Sequence, residues 1–302
     1  MISLKQLRYL DALAETGHFG RAAELAGVTQ PALSVQIREL EARLGVELVE
    51  RHPGGARLTA MGEEIATRGS RVLADVREIE DFAKARAGAF AGPLRLGIIP
   101  SIAPFLLPRL LPEITSRYPA IDLILRETLT ETLMRELVIG DLDLVIASLP
   151  LDHPQVETAE AYTEAFMLVA AQAGPAGAGP LPLSSLADQR VLLLEDGHCL
   201  RDQALDVCGL RQEGKVFNFE ATSMATLVQL VSSGMGLTLL PEMAVPFENR
   251  DGALELVEFA DPAPARDIGL IWRRGSERVA DYEALGELIT GVLATAAEKK
   301  AA

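Results

Sequence analysis

The sequence predicts an α/β protein in which a winged helix-turn-helix and a linker helix precede two α/β units. Two observations lead to this fold class. A short helix, a glycine turn and a capped second helix follow one another before Gly45. After Gly92 and Pro93, apolar strands alternate with amphipathic helices, which is the order expected for a parallel sheet covered by helices.

The composition fits a globular chain with more than one hydrophobic core. The 302 residues are 49% hydrophobic and 24% charged, and a chain of this length usually forms two or three domains. No stretch approaches the roughly 18 consecutive apolar residues that a membrane helix needs. The segment from Met1 to Lys5 lacks the apolar core of a secretion signal. We therefore expect a cytoplasmic protein without a membrane partner.

The net charge is unevenly distributed along the chain. The formal charge is −15 at pH 7, yet residues 1–90 contain 12 basic and 13 acidic side chains. The acidic surplus therefore belongs to the remainder, where it discourages nonspecific binding to polyanions. Contact with nucleic acid is expected only in the N-terminal part.

The N-terminal helices are recognised from apolar spacing and from residues that end or cap helices. Apolar side chains recur at helical spacing from Leu4 to Ala14, and a short helix follows from Phe19 to Ala26. Gly27 ends that helix. Thr29 is a candidate N-cap for the next one, where Pro31 in the first turn costs no helical hydrogen bond.

The second of these helices contains the side chains expected to contact DNA. No acidic residue occurs between Leu25 and Arg38, and neutral or basic hydrogen-bonding groups suit base edges and phosphates in a major groove. An ordinary polar helix face is the alternative that this composition leaves open. A wing follows, with its turn at residues 52–55. The candidate DNA-binding residues are Thr29, Gln30, Pro31, Ser34, Gln36 and Arg38 on the helix and Arg51 on the wing.

A long helix is expected from Thr59 to about Ala89. Apolar or small residues recur along it in steps of four and three, which is typical of a seam between two helices. Pairing of two chains is the natural use of this seam, because two-fold operators need paired binding domains. The predicted seam consists of Ile65, Gly69, Val72, Val76, Ile79 and Ala83.

The N-terminal segment closely resembles the LysR-type transcriptional regulators. The shared motifs extend in the family's order from Leu7 to Thr59 and include Thr29-Gln30-Pro31-Ala32-Leu33-Ser34, although Val35 stands where many members have a basic residue. The resemblance implies binding to double-stranded promoter DNA as a homodimer or homotetramer, and contact with RNA polymerase. It also implies a regulatory domain of two lobes like a periplasmic binding protein. We expect no enzymatic activity, metal or cofactor.

Ligands of such sheets bind beyond the carboxyl ends of the strands, and Ser101 lies there after the first strand.

Resemblance and strand pattern together give the expected domain boundaries. The expected domains are the winged helix-turn-helix at 1–60, the linker helix and hinge at 61–91, and the regulatory domain at 92–302, with lobe I at about 92–163 and 267–302 and lobe II at about 164–266.

Two cysteines, Cys199 and Cys208, stand nine positions apart at the start and end of a predicted helix. Backbone N–H groups at the helix start, together with Arg201 and His198, favour a reactive thiolate at Cys199. Nine residues of helix rise about 13–14 Å, whereas a disulfide needs Cα atoms within about 7 Å. A bond between the cysteines therefore requires the helix to unwind and would act as a conformational switch. Two small buried hydrophobic residues are the alternative.

The segment from Glu195 to Ala204 resembles the hydrogen-peroxide-sensing members of the LysR-type family, and the second cysteine stands at their spacing. The resemblance implies that Cys199 is the peroxidatic residue and Cys208 the resolving residue that closes a disulfide. Refolding of this segment would then change DNA binding and the transcription of antioxidant genes. The implied peroxide pocket consists of Ser101, Thr130, His198, Asp202 and Arg266, with Ser101 at a position where threonine is common.

Two further functions remain open from the sequence. The chain is alternatively a LysR-type regulator whose inter-lobe cleft binds a small metabolite, with incidental cysteines, or a thiol peroxidase joined to a DNA-binding segment. Replacement of Cys199 separates the peroxide sensor from the metabolite sensor, and stoichiometric consumption of peroxide argues against the peroxidase. Promoter binding further predicts association with the nucleoid.

Overall fold

The computed structural model describes two compact units of this chain. The first contains Met1–Gly88 and Glu136–Leu142, and the second contains Ala89–Arg135 and Asp143–Ala302. Cys208 lies outside the described residues, as do Pro53 of the predicted wing turn and Ala89 at the end of the predicted linker helix. The described residues are 1–52, 54–85, 90, 92–171, 180–186, 189–207 and 220–301.

The first unit contains the predicted winged helix-turn-helix. Its strands pair antiparallel to form the wing, and Leu10, Leu33, Ile37 and Leu40 have no exposed surface in the core between its helices. The elements are α1 (Leu4–Thr16), α2 (Phe19–Leu25), α3 (Gln30–Leu44), β1 (Val49–His52), β2 (Gly55–Leu58) and α4 (Ala60–Ala85).

Helix ends in this unit follow from identifiable residues. His18 begins α2 by accepting a hydrogen bond at Nδ1 from the Gly20 N–H, a role that the sequence interpretation missed. Thr29 is the N-cap of α3, as predicted, although its side chain forms no capping hydrogen bond in the described structure. Thr59 Oγ1 accepts from the Gly62 N–H at 3.0 Å and thereby satisfies a backbone donor at the start of α4.

The second unit consists of helices and strands in the predicted alternating order. Its helices are α5 (Ala103–Arg117), α6 (Thr130–Ile139, which continues into the first unit), α7 (Cys199–Val207), α8 (Met224–Ser232), α9 (Val245–Glu248) and α10 (Val279–Ala301). Its strands are β3 (Pro93–Ile98), β4 (Asp122–Glu127), β5 (Leu144–Leu149), β6 (Val156–Ala171), β7 (Leu193–Leu194), β8 (Glu220–Ala221), β9 (Thr238–Pro241), β10 (Leu254–Val257) and β11 (Ala265–Arg273).

The main sheet has the strand order β10-β6-β11-β5-β3-β4, and β9 also pairs with β6. Strand β3 is parallel to both β4 and β5, which confirms the predicted parallel sheet. Strand β11 returns antiparallel between β5 and β6. This arrangement places Ser148 of β5, Arg266 of β11 and Glu164 of β6 on three neighbouring strands.

Strand β6 is much longer than the sequence predicted. The apolar pattern alone predicts a strand only over residues 165–169, but the strand extends over 16 residues from Val156 to Ala171. Its first part pairs with β11 and its last part with β9 and β10, so it is common to both halves of the sheet. The part before residue 165 contains half-buried alanines, exposed threonines and three glutamates, which gives little apolar contrast.

The core of the second unit is mainly aliphatic, as the low aromatic content requires. Trp272 on β11 is 5% exposed and Tyr282 on α10 is 1% exposed, and their ring centroids lie 5.7 Å apart. A tryptophan within an apolar strand near the end of the chain predicts a core position for Trp272, and the structure confirms it. In the described part of the chain, every helix is too short or too polar to cross a bilayer.

Candidate functional site

Cys199 is the first residue of α7, as predicted, and its thiol is free and partly exposed. The connection from β7 to α7 contains Gly197 at φ +93°, a backbone conformation that favours glycine. A Cβ atom at Gly197 would lie 3.0 Å from Leu129 Cδ1. The glycine therefore allows the loop before Cys199 to pack against the segment that leads into α6.

Two serine hydroxyl groups contact the Cys199 sulfur. Sγ lies 4.0 Å from Ser101 Oγ and 3.9 Å from Ser148 Oγ. Ser101 follows β3, Ser148 belongs to β5, and both side chains are buried. Because sulfur is large, these distances are within the range of weak hydrogen bonds. The sulfur is thus held against polar groups from two adjacent strands.

Arg266 connects this serine pair to a buried carboxylate. Its Nη1 donates to Ser101 Oγ at 2.9 Å and its Nη2 donates to the Ser101 carbonyl at 3.1 Å. On its other side, Nε donates to Glu164 Oε1 at 2.6 Å, while Glu164 Oε2 accepts from the Met243 N–H. Both charged side chains are almost completely buried, at 0% and 1% exposure. The resulting chain of contacts leads from Cys199 through Ser101 and Arg266 to Glu164.

His198 is buried, and its burial disfavours a positive charge on the imidazole. Burial lowers the pKa of its imidazole below 6.5, and the Glu195 carboxylate, 3.9 Å away, only partly opposes this shift. Arg201 donates to the Leu194 carbonyl and pairs with Asp196 at 2.8 Å. The sequence assigned both side chains to the support of a thiolate. In the structure, burial disfavours the charged form of His198, and Arg201 binds the loop before α7.

The other predicted pocket residues are Thr130 and Asp202, and each lies in the first turn of a helix. Thr130 is the first residue of α6, and its buried Oγ1 has no hydrogen-bond partner among the described residues. Asp202 lies in the first turn of α7 with an exposed side chain. Their contact with peroxide stays a prediction. The described residues contain no group of three or more His, Cys, Asp or Glu placed to hold a metal ion.

Sequence reasoning missed three polar residues of this region, Ser148, Glu164 and Gln203. Gln203 follows Cys199 by one helical turn, and its buried Oε1 has no partner within the described structure. Ser148 interrupts an otherwise apolar strand, and this interruption was a usable sequence signal. Glu164 gave no such signal, since it stands among other glutamates and only the fold places it beside Arg266.

The predicted DNA-binding residues lie on α3 and the wing, with most side chains exposed. Thr29, Gln30, Pro31, Arg38 and Arg51 are exposed, whereas Ser34 and Gln36 are half-buried. Arg51 Nη1 donates to Ser34 Oγ at 3.2 Å, and its guanidinium lies 4.8 Å from the Phe19 ring centroid. Gln36 donates to Glu39 at 2.8 Å. The structure therefore joins the wing to α3 through Arg51, while Gln36 is engaged by a carboxylate.

Part of the predicted seam on α4 is used inside the first unit. Ile65 packs against the core of this unit, and a Cβ at Gly69 would lie 3.1 Å from Leu7 of α1. Both positions therefore already make contacts within the first unit. Val72 and Ile79 are 44% and 69% exposed and stay available to a second chain.

Comparison with known families identifies the class of protein. Residues 4–63 match the family "Bacterial regulatory helix-turn-helix protein, lysR family", and residues 87–294 match the "LysR substrate binding domain". These matches agree with the winged helix-turn-helix and with the α/β unit that contains Cys199. The chain belongs to the LysR family of transcription regulators.

The names of individual relatives are more specific than the family. A probable hydrogen peroxide-inducible genes activator from Streptomyces viridosporus is 44% identical over 286 residues, covering 94% of this chain and 92% of that protein. Full-length OxyR from Pseudomonas aeruginosa, with a cysteine-to-aspartate substitution, superimposes with a TM-score of 0.79 at 35% identity, covering 96% and 98% of the two chains. A peroxide-bound cysteine mutant of OxyR from Corynebacterium glutamicum gives 0.69 at 34% identity, covering 98% and 94%.

Proposed function

We propose that this protein is a hydrogen-peroxide-sensing transcription regulator of the LysR type. The observation that carries the proposal is the free Cys199 thiol at the start of α7, in contact with Ser101 and Ser148. The names of the peroxide-inducible and peroxide-bound relatives support the same function. In this proposal Ser101 and Thr130 hold peroxide, and His198, Asp202 and Arg266 form the polar surroundings of the pocket.

The proposed reaction oxidises Cys199 in two balanced steps. The thiolate attacks one peroxide oxygen, the O–O bond breaks, and the other oxygen leaves as hydroxide, which takes a proton to form water. Cys199 is then a sulfenic acid, oxidised by two electrons. The Cys208 thiolate next attacks this sulfur, the S–O bond breaks, and a second hydroxide leaves as a disulfide forms. One peroxide is consumed for each disulfide formed, and in this proposal the disulfide is the signal, so the protein acts as a sensor and not as an enzyme.

Disulfide formation is proposed to change the conformation of α7. The helix is continuous from Cys199 to Val207, the residue before the resolving cysteine. Eight residue steps of helix separate the Cα atoms of Cys199 and Val207 by about 12 Å. A cysteine at the next position is therefore too far from Cys199 for a disulfide. The helix must therefore unwind when the bond forms.

The output of this change is proposed to be altered binding to double-stranded promoter DNA. The predicted helix and wing residues contact the DNA, and two chains associate through the linker helix into a homodimer and then a homotetramer. A change in the spacing of the paired binding domains alters DNA bending and the access of RNA polymerase. The domain boundaries at about 60 and 91, and a cytoplasmic, nucleoid-associated location, belong to this proposal.

Mass analysis of the peptide that contains both cysteines tests the proposed function. Brief treatment of the reduced full-length protein with hydrogen peroxide, at micromolar concentration, should remove two hydrogens from this peptide through a disulfide. Cys208→Ser should stop at an added oxygen on Cys199, and Cys199→Ser should leave the peptide unchanged.

A promoter-binding assay with the same variants completes the test. We expect Cys199→Ser to lose the peroxide response while it retains DNA binding in the reduced state. A peroxide response that persists in Cys199→Ser would contradict the proposal and favour the metabolite-binding alternative. Repeated turnover of peroxide with a thiol reductant would instead favour a peroxidase.

A further inference from the structure

Ser148 is a buried hydroxyl group in an otherwise apolar strand. It belongs to β5, where Leu144, Val145, Ile146 and Ala147 have no exposed surface, and it is itself 5% exposed. A buried hydroxyl without a hydrogen-bond partner is costly. Among the described residues, its partner is the Cys199 sulfur at 3.9 Å, with the thiol as donor. The Ser148 hydroxyl therefore contacts the Cys199 sulfur, which is the atom proposed to react with peroxide.

The two serines beside the sulfur are not equivalent. Ser101 Oγ already accepts a hydrogen bond from Arg266 Nη1, so its orientation is fixed by a buried cation. Ser148 Oγ accepts from the thiol, and its own O–H is free to rotate about the Cβ–Oγ bond. Once the thiol loses its proton, the same hydroxyl can donate to the thiolate. A hydrogen bond to a charged acceptor is stronger than one between neutral groups.

We propose that Ser148 is a further residue of the peroxide reaction, whose hydroxyl donates to the Cys199 thiolate and holds it for attack. This inference rests on the proposed function. The thiolate forms a bond to one peroxide oxygen and the O–O bond breaks. Hydroxide leaves and takes its proton from solvent, while Ser148 keeps its own proton throughout. Because β5 pairs with β3 and β11, the hydroxyl is supplied from a rigid part of the sheet.

Rates of two reactions at Cys199, compared at a pH at which the thiol is ionised in every variant, test this role in the reduced full-length protein. Sulfenic acid formation with hydrogen peroxide should slow about tenfold in Ser148→Ala, since peroxide attack needs an aligned sulfur. The rate of alkylation by iodoacetamide should change by less than about threefold, because this reagent is not held in the peroxide pocket. Ser148→Thr keeps the hydroxyl on a β-branched side chain suited to a strand and should regain most of the peroxide rate.

Three results would overturn the inference. The first is a peroxide rate for Ser148→Ala equal to that of the unmodified protein. The second is an equal slowing of both reactions, which indicates altered access to the sulfur. The third is a threonine variant as slow as the alanine variant, which assigns the effect to shape. Ser233→Ala, at the exposed end of α8, is the matched control and should leave both rates unchanged.

The outcome for the unmodified protein separates this inference from the proposed function. If Cys199 of the unmodified protein fails to form a sulfenic acid or a disulfide with peroxide, the proposed function fails. If the unmodified protein reacts and Ser148→Ala reacts equally fast, only the role of Ser148 fails.

Discussion

At the residue scale, Arg266 positions Ser101 and is itself positioned by Glu164. The planar guanidinium presents several donors in fixed directions, and here they are divided between Ser101 and the Glu164 carboxylate. A fully buried ion pair contributes little net stability, because desolvation of both charges offsets their attraction. We therefore interpret the pair as a device that fixes the Ser101 hydroxyl near the sulfur.

The buried His198 side chain makes the stability of the second unit depend on pH. Its folded-state pKa lies below the ordinary 6.5, mainly because of burial. The folded state therefore binds fewer protons than the unfolded state between these two values. The contribution of His198 to the free energy of unfolding is fully present above about pH 6.5 and is lost as the pH falls through the folded-state pKa.

Replacement of His198 by asparagine removes this titration, so we expect a flatter pH profile. Unfolding in urea between about pH 5 and pH 8 measures the difference. The original protein should lose more stability toward the acidic end than His198→Asn does. Parallel profiles for the two proteins would contradict this expectation, because they would show that the imidazole is equally protonated in the folded and the unfolded state. His153→Asn, in a loop of the same unit, is the matched control, because this half-buried side chain accepts a hydrogen bond from the Gln155 N–H that an asparagine Oδ1 can also accept.

At the element scale, the start of α4 packs closely against the chain entering β1. The Thr59 N–H donates to the Leu48 carbonyl at 2.9 Å, and a Cβ atom at Gly62 would overlap that same carbonyl oxygen. Alanine usually stabilises a helix relative to glycine. At Gly62 the backbone contact reverses this preference, because the neighbouring atom belongs to a chain that cannot rotate away.

We accordingly expect Gly62→Ala to destabilise the first unit by about 1–3 kcal/mol, as overpacking does in closely packed sites. Gly291→Ala is the matched control, because nothing lies within 4 Å of a Cβ at this exposed position in α10. That variant should gain up to about 1 kcal/mol. Thermal unfolding and promoter binding measure both effects. A Gly62→Ala protein as stable as the original would contradict the described packing of α4.

Much of the element order, but less of the site, was predictable from the sequence. The helix-turn-helix, the parallel strands and the position of Cys199 at a helix start follow from apolar spacing and local capping. The first part of β6 and the partners of Arg266 do not, because they depend on contacts between residues that are far apart in the sequence, up to 165 positions for Arg266 and Ser101. The charge state of His198 depends on burial, which a sequence pattern does not give.

At the scale of the whole molecule, the α4 surface still available for self-association is smaller than the sequence indicated. Ile65 and Gly69 are used within the unit, so Val72 and Ile79 are the exposed apolar residues among the seam side chains that the structure describes. Because Ile79 is 69% exposed, its burial against a second chain would be favourable.

A charge at Ile79 should therefore weaken self-association. We expect Ile79→Glu to raise the dimer dissociation constant at least tenfold, since burying an isoleucine contributes about 1.5–3 kcal/mol. Sedimentation velocity of the reduced protein measures this change, and promoter affinity should fall with it. Thr67→Glu places the same charge on another face of α4 and should leave association unaltered. Equal association of all three proteins would exclude α4 as the contact between chains.

The placement of Cys199 on a helix, with its serine and arginine neighbours on the sheet, has a consequence for the fate of the sulfur. In the proposed mechanism α7 unwinds when the disulfide forms, so the Cys199 sulfur moves away with the helix and the serine hydroxyls stay with the sheet. A second oxidant molecule would then meet a disulfide sulfur, which has lost both its serine partners and its negative charge. Overoxidation to the irreversible sulfinic acid is thereby disfavoured, and the reaction is self-limiting.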